Sequence, residues 1–280
     1  MPQSREIGLL VGGDVGLSGN LGDIRVTKDV DETWVDEISN LFVLASALAL
    51  PEVAEVIHRA NKRKHLRGLL IEQKRDPNWV TTMLDRAGVR TLRHTLVHHD
   101  PQVFERILNA WRIGAEEQLI ADATVQDELL LVKNCALDTI EVGVTEFDPL
   151  QRVSTETRTT FHVAADGAHL HWPDLDVHLD LESIRAALDP GLRERMKAER
   201  VKSDARIGQA IRSLRNEAGL RQKDIPSISA RQVRRIEKGE TTPRTASLRE
   251  FANAHGLELN DYLSRLAERI QQHRSAEAAE

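Results

Sequence analysis

Residues 207–239 read IGQAIRSLRNEAGLRQKDIPSISARQVRRIEKG, a pattern typical of short helices packed around an apolar core. Ile207, Ala210, Ile211 and Leu214 have the spacing that places side chains on one face of a helix. Glycine follows this run and also closes the quoted segment, and glycine is the residue that most often ends a helix. The pattern therefore predicts two helices joined by a connecting segment.

The second of these helices is predicted from Ala230 to Lys238, with Ser229 as a favourable N-cap residue. At about 100° per residue, Val233 and Ile236 share one face of this helix. The opposite face carries three arginines: Arg231, Arg234 and Arg235. Arginine pairs with guanine bases and also neutralises phosphates. A helix with an apolar back and an arginine-rich front therefore suits the major groove of duplex DNA.

The rest of this region predicts further helices. Gln222 begins a helix that Pro226 limits to about one turn, because proline cannot continue a helix. Two more helices follow residue 244, and the first of them is stopped by Gly256. We therefore predict an all-α domain of five short helices over residues 205–270.

Residues 207–266 resemble the lambda-repressor/Cro-type family of helix-turn-helix regulators, also called the Xre family. The resemblance rests on the amphipathic first helix and on these motif residues: Gly219-Leu220, Gln222, Ser229, Ile236-Glu237-x-Gly239 and Pro243. The segment from Gln222 to Glu237 is shorter than the usual family pattern. The resemblance implies a DNA-binding domain with a recognition helix at residues 230–238 and a shortened helix before it.

The resemblance also implies roles for particular residues. Arg231 and Arg235 occupy its main base-reading positions, and Gln222 occupies a position that touches the DNA backbone. Arg215 and Glu237 match a buried ion pair that joins two helices. The other implied DNA contacts come from the recognition helix and the loop after it: Ser229, Gln232, Arg234, Lys238, Thr242 and Arg244.

The charge of the chain is distributed unevenly. The whole chain has 38 basic and 44 acidic residues, a net charge of −6. Residues 202–274 contain 15 basic and 9 acidic residues, so this region is positive on an acidic chain. A local basic region indicates an anionic partner, of which nucleic acid is the commonest, or a solvated helical surface that is rich in arginine.

The N-terminal region combines helical and strand patterns. Residues 5–13, REIGLLVGG, predict a short buried strand. The helical spacing of apolar residues over residues 34–45 predicts a helix, while residues 69–71 and 92–97 are strand candidates. No phosphate-binding or dinucleotide-binding glycine motif follows the first strand, and we predict no cofactor.

Residues 129–181 change to an apolar period of two, which predicts short strands, and Asp166-Gly167 predicts a hairpin turn. Residues 160–184, TFHVAADGAHLHWPDLDVHLDLESI, resemble a small, poorly characterised β-rich family that is often fused ahead of a repressor-type DNA-binding domain. This resemblance covers about residues 125–190 and implies no particular chemistry.

The predicted fold is an α+β N-terminal region, with mixed helices and a small antiparallel sheet, followed by the all-α, five-helix helix-turn-helix domain. The predicted parts are a mixed α/β domain, a β-rich domain, a helical connector, the DNA-binding domain and a flexible tail: residues 1–123, 124–190, 191–204, 205–270 and 271–280. No apolar run reaches the roughly 20 residues that span a bilayer, and the first residues do not form a secretion signal. We therefore expect a cytoplasmic protein without a membrane partner.

Histidines and the single cysteine are the remaining chemical candidates. His169 and His171 would share a strand face and, with nearby aspartates, could bind zinc, but no zinc-binding motif supports a site, and solvated strand histidines are favoured. His94 and His98 are four residues apart and could share a metal ion on a helix, but their segment does not favour a helix. Cys135 lies in an apolar context typical of an inert core thiol. We predict no metal site and no catalytic residue.

The sequence thus predicts a sequence-specific DNA-binding transcriptional regulator, of repressor type, that acts as a homodimer on a palindromic operator. Its N-terminal region would bind a protein partner or a small-molecule effector. Two alternatives stay open. The chain could be an antitoxin or defence-system component whose N-terminal region binds a protein and whose DNA-binding domain regulates its own operon. It could also be an enzyme with its site in residues 1–190.

Overall fold

The computed structural model describes these parts of the chain: residues 6–17, 21–28, 34, 37–74 and 77–277. The chain divides into two compact units, Met1–Asp189 and Pro190–Glu280. The predicted mixture of helices and strands in the N-terminal region is confirmed, and the second unit is helical. Within the described ranges, every helix is too short or too polar to cross a membrane. That the β-rich segment forms a separate domain stays a prediction.

A five-stranded parallel sheet forms the centre of the first unit. Its strands are β1 Gly8–Gly12, β2 Arg25–Thr27, β3 Leu41–Ser46, β4 Leu66–Glu72 and β5 Thr95–His98. The strand order is β2-β1-β3-β4-β5. Helices follow the last three strands along the chain: α1 Leu50–Lys62, α2 Pro77–Arg86 and α3 Pro101–Ile113.

The central strands of this sheet are buried on both faces, because alternate residues of a strand enter two different cores. Leu41 and Val43 of β3 pack with residues of α1 and α2. Phe42 and Leu44 of the same strand pack with residues of α3. None of these four side chains has exposed surface. A strand that is buried in this way has a continuous apolar run instead of an alternating one.

The predicted helix over residues 34–45 is wrong where it overlaps β3, and residues 35–36 lie outside the described residues. Every position of residues 41–45 is apolar, so the run matches helical spacing as well as it matches a strand. The predicted fold class also lacked the parallel sheet, since it contained only a small antiparallel one. The individual strand predictions are better, because β1 lies within residues 5–13, β4 contains residues 69–71, and β5 overlaps residues 92–97.

Two three-stranded antiparallel sheets follow. The strands are β6 Ile120–Gln126, β7 Leu129–Asn134 and β8 Thr139–Gly143 in one sheet, and β9 His162–Val163, β10 Leu170–Trp172 and β11 Val177–Leu179 in the other. Short helices lie between and after them: α4 Asp148–Gln151, α5 Thr155–Thr159 and α6 Leu181–Leu188. The predicted hairpin turn joins β9 to β10, and its Gly167 has a positive φ of 76°. Both sheets contribute side chains to one apolar core.

The second unit consists of helices around a separate apolar core. They are α7 Pro190–Glu217, a 3-10 turn Gln222–Asp224, α8 Ala230–Glu237, α9 Thr245–Ala254 and α10 Leu259–Glu277. The predicted connector, residues 191–204, is continuous with the first helix. The predicted limit of about one turn at Gln222 is confirmed. Gly219 and Gly239 have φ values of 68° and 71°, the left-handed conformation that ends a helix.

Candidate nucleic-acid interface

Helix α8 is held in the second unit by its apolar side. Val233 and Ile236 are buried in the same core as Ile211 of α7. At the start of the helix, the backbone N–H of Gln232 donates a hydrogen bond of 3.2 Å to Oγ of Ser229, the predicted N-cap. A helix of eight residues is not stable alone in water. These contacts therefore hold α8 in its helical form and set which side faces the solvent.

The solvent side of α8 is basic, and we call it the arginine face. It consists of exposed side chains only, four from α8 and one from the residue that follows it: Arg231, Gln232, Arg234, Arg235 and Lys238. Among the residues that the structure describes, Arg231 and Arg234 have no ion-pair partner. Their guanidinium groups are therefore available to an anionic ligand without the loss of an internal contact.

Glu240 lies at one end of the arginine face. Its carboxylate oxygens lie 3.8 Å from Nε of Arg235 and 3.5 Å from Nζ of Lys238. All three side chains are about half exposed. Ion pairs of this kind contribute about 0–1 kcal/mol, because water screens them. A phosphate or a base edge can therefore replace Glu240 at small energetic cost.

A buried ion pair sets the rotation of α8 about its own axis. Nε and Nη2 of Arg215 on α7 donate to the two carboxylate oxygens of Glu237, at 2.5 Å and 3.2 Å. Their side chains are 8% and 3% exposed. Nε2 of Gln222 donates to the same carboxylate at 2.7 Å. Because Glu237 belongs to α8, its fixed position presents the arginines of that helix outward.

Gln222 and Thr242, which were expected to touch DNA, form hydrogen bonds with acidic side chains of the protein. The side-chain amide nitrogen of Gln222 donates a hydrogen bond to the carboxylate of Glu237, and the side-chain carbonyl oxygen of Gln222 takes no part in this bond. The hydroxyl of Thr242 donates to the carboxylate of Asp204, at 3.0 Å from both oxygens. Arg244 is exposed directly before α9. The structure thus brings the DNA-contact residues predicted on α8 together on one face. The side chains of Gln222 and Thr242 instead form hydrogen bonds within the protein.

The other candidate groups lie in the first unit. His94 occupies a loop with a φ of 59°, and His98 ends β5, so these histidines do not share a helix face. The His98 ring stacks on His99, with 4.7 Å between the ring centroids. Cys135 is fully buried, and this burial raises the pKa of its thiol to about 12, although the charge of Arg106 opposes the shift. At neutral pH the thiol is therefore protonated and weakly nucleophilic.

A cleft of about 650 Å³, which sequence patterns did not reveal, lies at the carboxyl ends of the parallel strands. Asp14 after β1, Ser46 at the end of β3 and Glu72 at the end of β4 line it, together with Trp79 of α2. Open α/β sheets bind ligands at this edge. In the sequence, this cleft is marked only by a polar residue after each apolar run. These polar residues indicate a shared site only when the apolar runs are known to be neighbouring parallel strands.

Glu72 is the buried group of this cleft, with 4% of its surface exposed. Both of its oxygens lie 3.3 Å from the backbone N–H of Gly16, which donates to them. Nζ of Lys74 lies 3.2 Å from the same carboxylate and donates to the carbonyl oxygen of Asp14 at 2.9 Å. The carboxylate is therefore compensated and held in a fixed orientation toward the cleft.

Comparison with known proteins gives a match on the β-rich segment. The family described as "Protein of unknown function (DUF2442)" matches residues 138–189, from β8 to α6. The matched part is less than half of the chain and lies within the first unit. No curated protein and no solved structure matches the chain.

Proposed function

We propose that the second unit binds duplex DNA with sequence preference and that the chain is a transcriptional regulator of the helix-turn-helix, Xre-like type. The observation that carries the proposal is the arginine face. A short helix, buried along one side and fixed by an internal ion pair, exposes three guanidinium groups along the other. A single helix of this kind fits the major groove of B-form DNA, where base edges present hydrogen-bonding groups.

The positions of the arginines indicate which of them would contact bases and which would contact phosphates. Arg231 and Arg235 are four residues apart and therefore lie one above the other on α8. In the major groove, each would donate two hydrogen bonds to O6 and N7 of a guanine. Arg234 and Lys238 would flank them on phosphates, joined by Arg244 from the following loop. Phosphate contacts position the helix, and base contacts supply its sequence preference.

We propose further that the regulator acts as a homodimer on a palindromic site. One helix with two base-reading arginines contacts too few bases for tight, selective binding. Two copies related by a twofold axis would place their recognition helices about 34 Å apart, in successive major grooves. Sedimentation of the full chain, with and without DNA, tests this part. A single copy bound to a full palindrome would contradict it.

The decisive experiment selects DNA sequences from a random pool with the full chain and then measures affinity by fluorescence anisotropy. We expect Arg231→Ala and Arg235→Ala each to reduce the preference for selected DNA by about 1–3 kcal/mol. Arg265→Ala is the matched control, because it removes the same charge from an exposed position of α10. Retention of the wild-type preference by the Arg231→Ala/Arg235→Ala double variant would refute the assignment.

The salt dependence of binding gives an independent measurement. Each phosphate that is neutralised releases counterions, so the logarithm of affinity falls with the logarithm of salt concentration, by about 0.9 per contact. We expect Lys238→Ala and Arg244→Ala each to reduce this slope while leaving the sequence preference unchanged. An affinity that does not depend on salt would contradict DNA binding and would favour a protein partner for the second unit.

We also propose that the cleft of the first unit holds a small-molecule effector. Glu72 offers a fixed carboxylate and Trp79 an indole that is 57% exposed. Together they suit a planar molecule that carries an N–H donor. Nucleobases and aromatic amidines are the probes, and thermal unfolding is the measurement. A probe that stabilises the wild type should lose this effect on Trp79→Ala, and equal stabilisation of both proteins would contradict the site.

A further inference from the structure

Four histidines share one face of the sheet β9-β10-β11, and we call it the histidine face. His162 on β9 and His178 on β11 both lie directly opposite His171 on the central strand β10. His169 lies just before β10 and places its ring beside that of His178. These imidazoles come together only because three strands pair in this register.

The other face of this sheet packs inward. Leu170 and Trp172, the neighbours of His171 along β10, have no exposed surface. The strand is therefore anchored in the core, and its alternate residue His171 is turned toward the solvent side. His162 and His178 are exposed, while His169 and His171 are partly buried. A small ion can reach all four rings from solution.

The rings are close to one another. The centroids of His171 and His178 are 4.2 Å apart, and the rings are nearly parallel, at 10°. His162 and His169 stand 4.9 Å and 4.8 Å from His171 and His178, respectively. Nδ1 of His171 lies 3.3 Å from Nε2 of His162, a hydrogen-bonding distance. This contact leaves Nε2 of His171 for a further partner.

A carboxylate completes the cluster. Asp176 occupies the left-handed turn before β11, with a φ of 51°, which brings its side chain beside His171 and His178. One potential ligand atom from each of these three residues lies within 4.8 Å of the other two. Imidazole nitrogens and a carboxylate oxygen are the ligands that zinc and related divalent ions prefer.

We propose that His171, His178 and Asp176 bind one divalent transition-metal ion of the zinc type. The site differs from the sequence-based expectation of solvated histidines without a metal. Zinc bonds to nitrogen and oxygen are about 2.0–2.2 Å long, so side-chain rotations must bring the three ligand atoms closer together and tilt the stacked rings of His171 and His178 toward one ion. Water fills the remaining coordination position. His162 contacts Nδ1 of His171 and so fixes the orientation of this ring, while Nε2 of His171 binds the metal ion. Histidine ligands in metal sites are usually held by a partner at the nitrogen that does not bind the metal.

The test uses the full chain, freed of metal by a chelator and desalted, in a calorimetric titration with Zn²⁺. We expect uptake of one equivalent and a loss of affinity of at least about tenfold in His171→Ala and in His178→Ala. His99→Ala is the matched control, because it removes an exposed histidine of the same unit away from this sheet. Its affinity should equal that of the wild type.

A second titration with Co²⁺, followed by visible absorption, reports the ligand set directly. We expect a ligand-field spectrum in the wild type that His171→Ala and Asp176→Asn alter and His99→Ala leaves unchanged. Circular dichroism of the metal-free variants verifies folding, since these side chains face the solvent. Equal Zn²⁺ affinity of the wild type and His171→Ala, or no uptake by the wild type, would overturn the proposal. Neither result depends on whether the second unit binds DNA.

Discussion

Nε of Arg215 lies 2.5 Å from Oε1 of Glu237, and this contact joins the long first helix of the second unit to the helix that bears the arginine face. A further nitrogen of the same guanidinium donates to the carbonyl oxygen of Leu220 at 2.5 Å. The pair is therefore part of a network in which each buried charge is compensated. Its position at the junction of α7 and α8 makes it a determinant of how the arginines are displayed.

Replacement of one partner alone should be strongly destabilising. Arg215→Met leaves the carboxylate of Glu237 buried without its counter-charge, and we expect a loss of about 3–5 kcal/mol in the free energy of unfolding. Urea denaturation measures this loss. The double variant Arg215→Met/Glu237→Met should be more stable than Arg215→Met, because no unpaired buried charge remains.

The exposed pair of Arg269 and Glu217 provides the control. Their charged atoms are also 2.5 Å apart, but the side chains are 26% and 53% exposed. We expect Arg269→Met to cost about 0–1 kcal/mol, because water screens the pair. A loss in Arg215→Met no larger than in Arg269→Met would contradict a buried, charge-dependent junction.

Gly208 tests the close approach of α7 to α8. A Cβ at this position would clash with the carbonyl oxygen of Ile236 and would lie 2.8 Å from that of Glu237. We therefore expect Gly208→Ala to destabilise the second unit by about 1–3 kcal/mol, as overpacking does. This sign is opposite to helix propensity, which favours alanine over glycine by about 1 kcal/mol in a helix interior.

Gly219 is the matched glycine for this comparison. It has a φ of 68°, but in the part of the chain that the structure describes no atom beyond its own neighbours lies within 4 Å of the position of its missing Cβ. Gly219→Ala should cost only the left-handed conformation, about 1–2 kcal/mol. Thermal unfolding and the DNA affinity of both variants are the measurements. A Gly208→Ala variant that is as stable as the wild type would show that the helices separate without cost.

Cys135 should react slowly while the protein is folded. Burial raises the pKa of its thiol to about 12, against the effect of Arg106 and with a smaller contribution from Glu116 in the same direction as burial. We expect little alkylation by iodoacetamide at pH 8 in buffer and rapid alkylation in urea, measured by mass spectrometry. Alkylation of the native protein at the rate of the unfolded chain would show that the thiol is accessible.

His171 should titrate below the ordinary pKa of histidine. Desolvation is the largest cause of the shift, and the charges of His178, His162 and His169 add to it, while Asp176 opposes it. The unfolded chain then binds more protons than the native chain between the two pKa values. Stability contributed by His171 therefore rises with pH through that window.

NMR of the metal-free protein measures this titration directly. His178→Ala should move the pKa of His171 up toward its ordinary value, because it removes a like charge. His99→Ala, whose ring belongs to a different cluster, should leave the His171 titration unchanged. An ordinary pKa for His171 in the wild type would be the contrary result.

Local sequence signals determined the elements of the second unit. Ser229 caps α8 and Gly239 follows it, and the pairing of Val233 with Ile236 shows which side of the helix is apolar. Each of these signals acts within a few residues, as hydrogen bonds and side-chain contacts in a helix do. The Asp166-Gly167 turn is local in the same way. Such features are readable without knowledge of any distant part of the chain.

Only the tertiary structure revealed the parallel sheet, the cleft that contains Glu72 and the histidine face of the first unit. An apolar run such as residues 41–45 satisfies helix and strand patterns alike, and only burial between α1, α2 and α3 makes it a strand. Glu72 joins a cleft, and His162, His171 and His178 share a face, through pairing between strands that are separate along the chain. Strand register is set by nonlocal packing, so residue spacing alone could not reveal these neighbours.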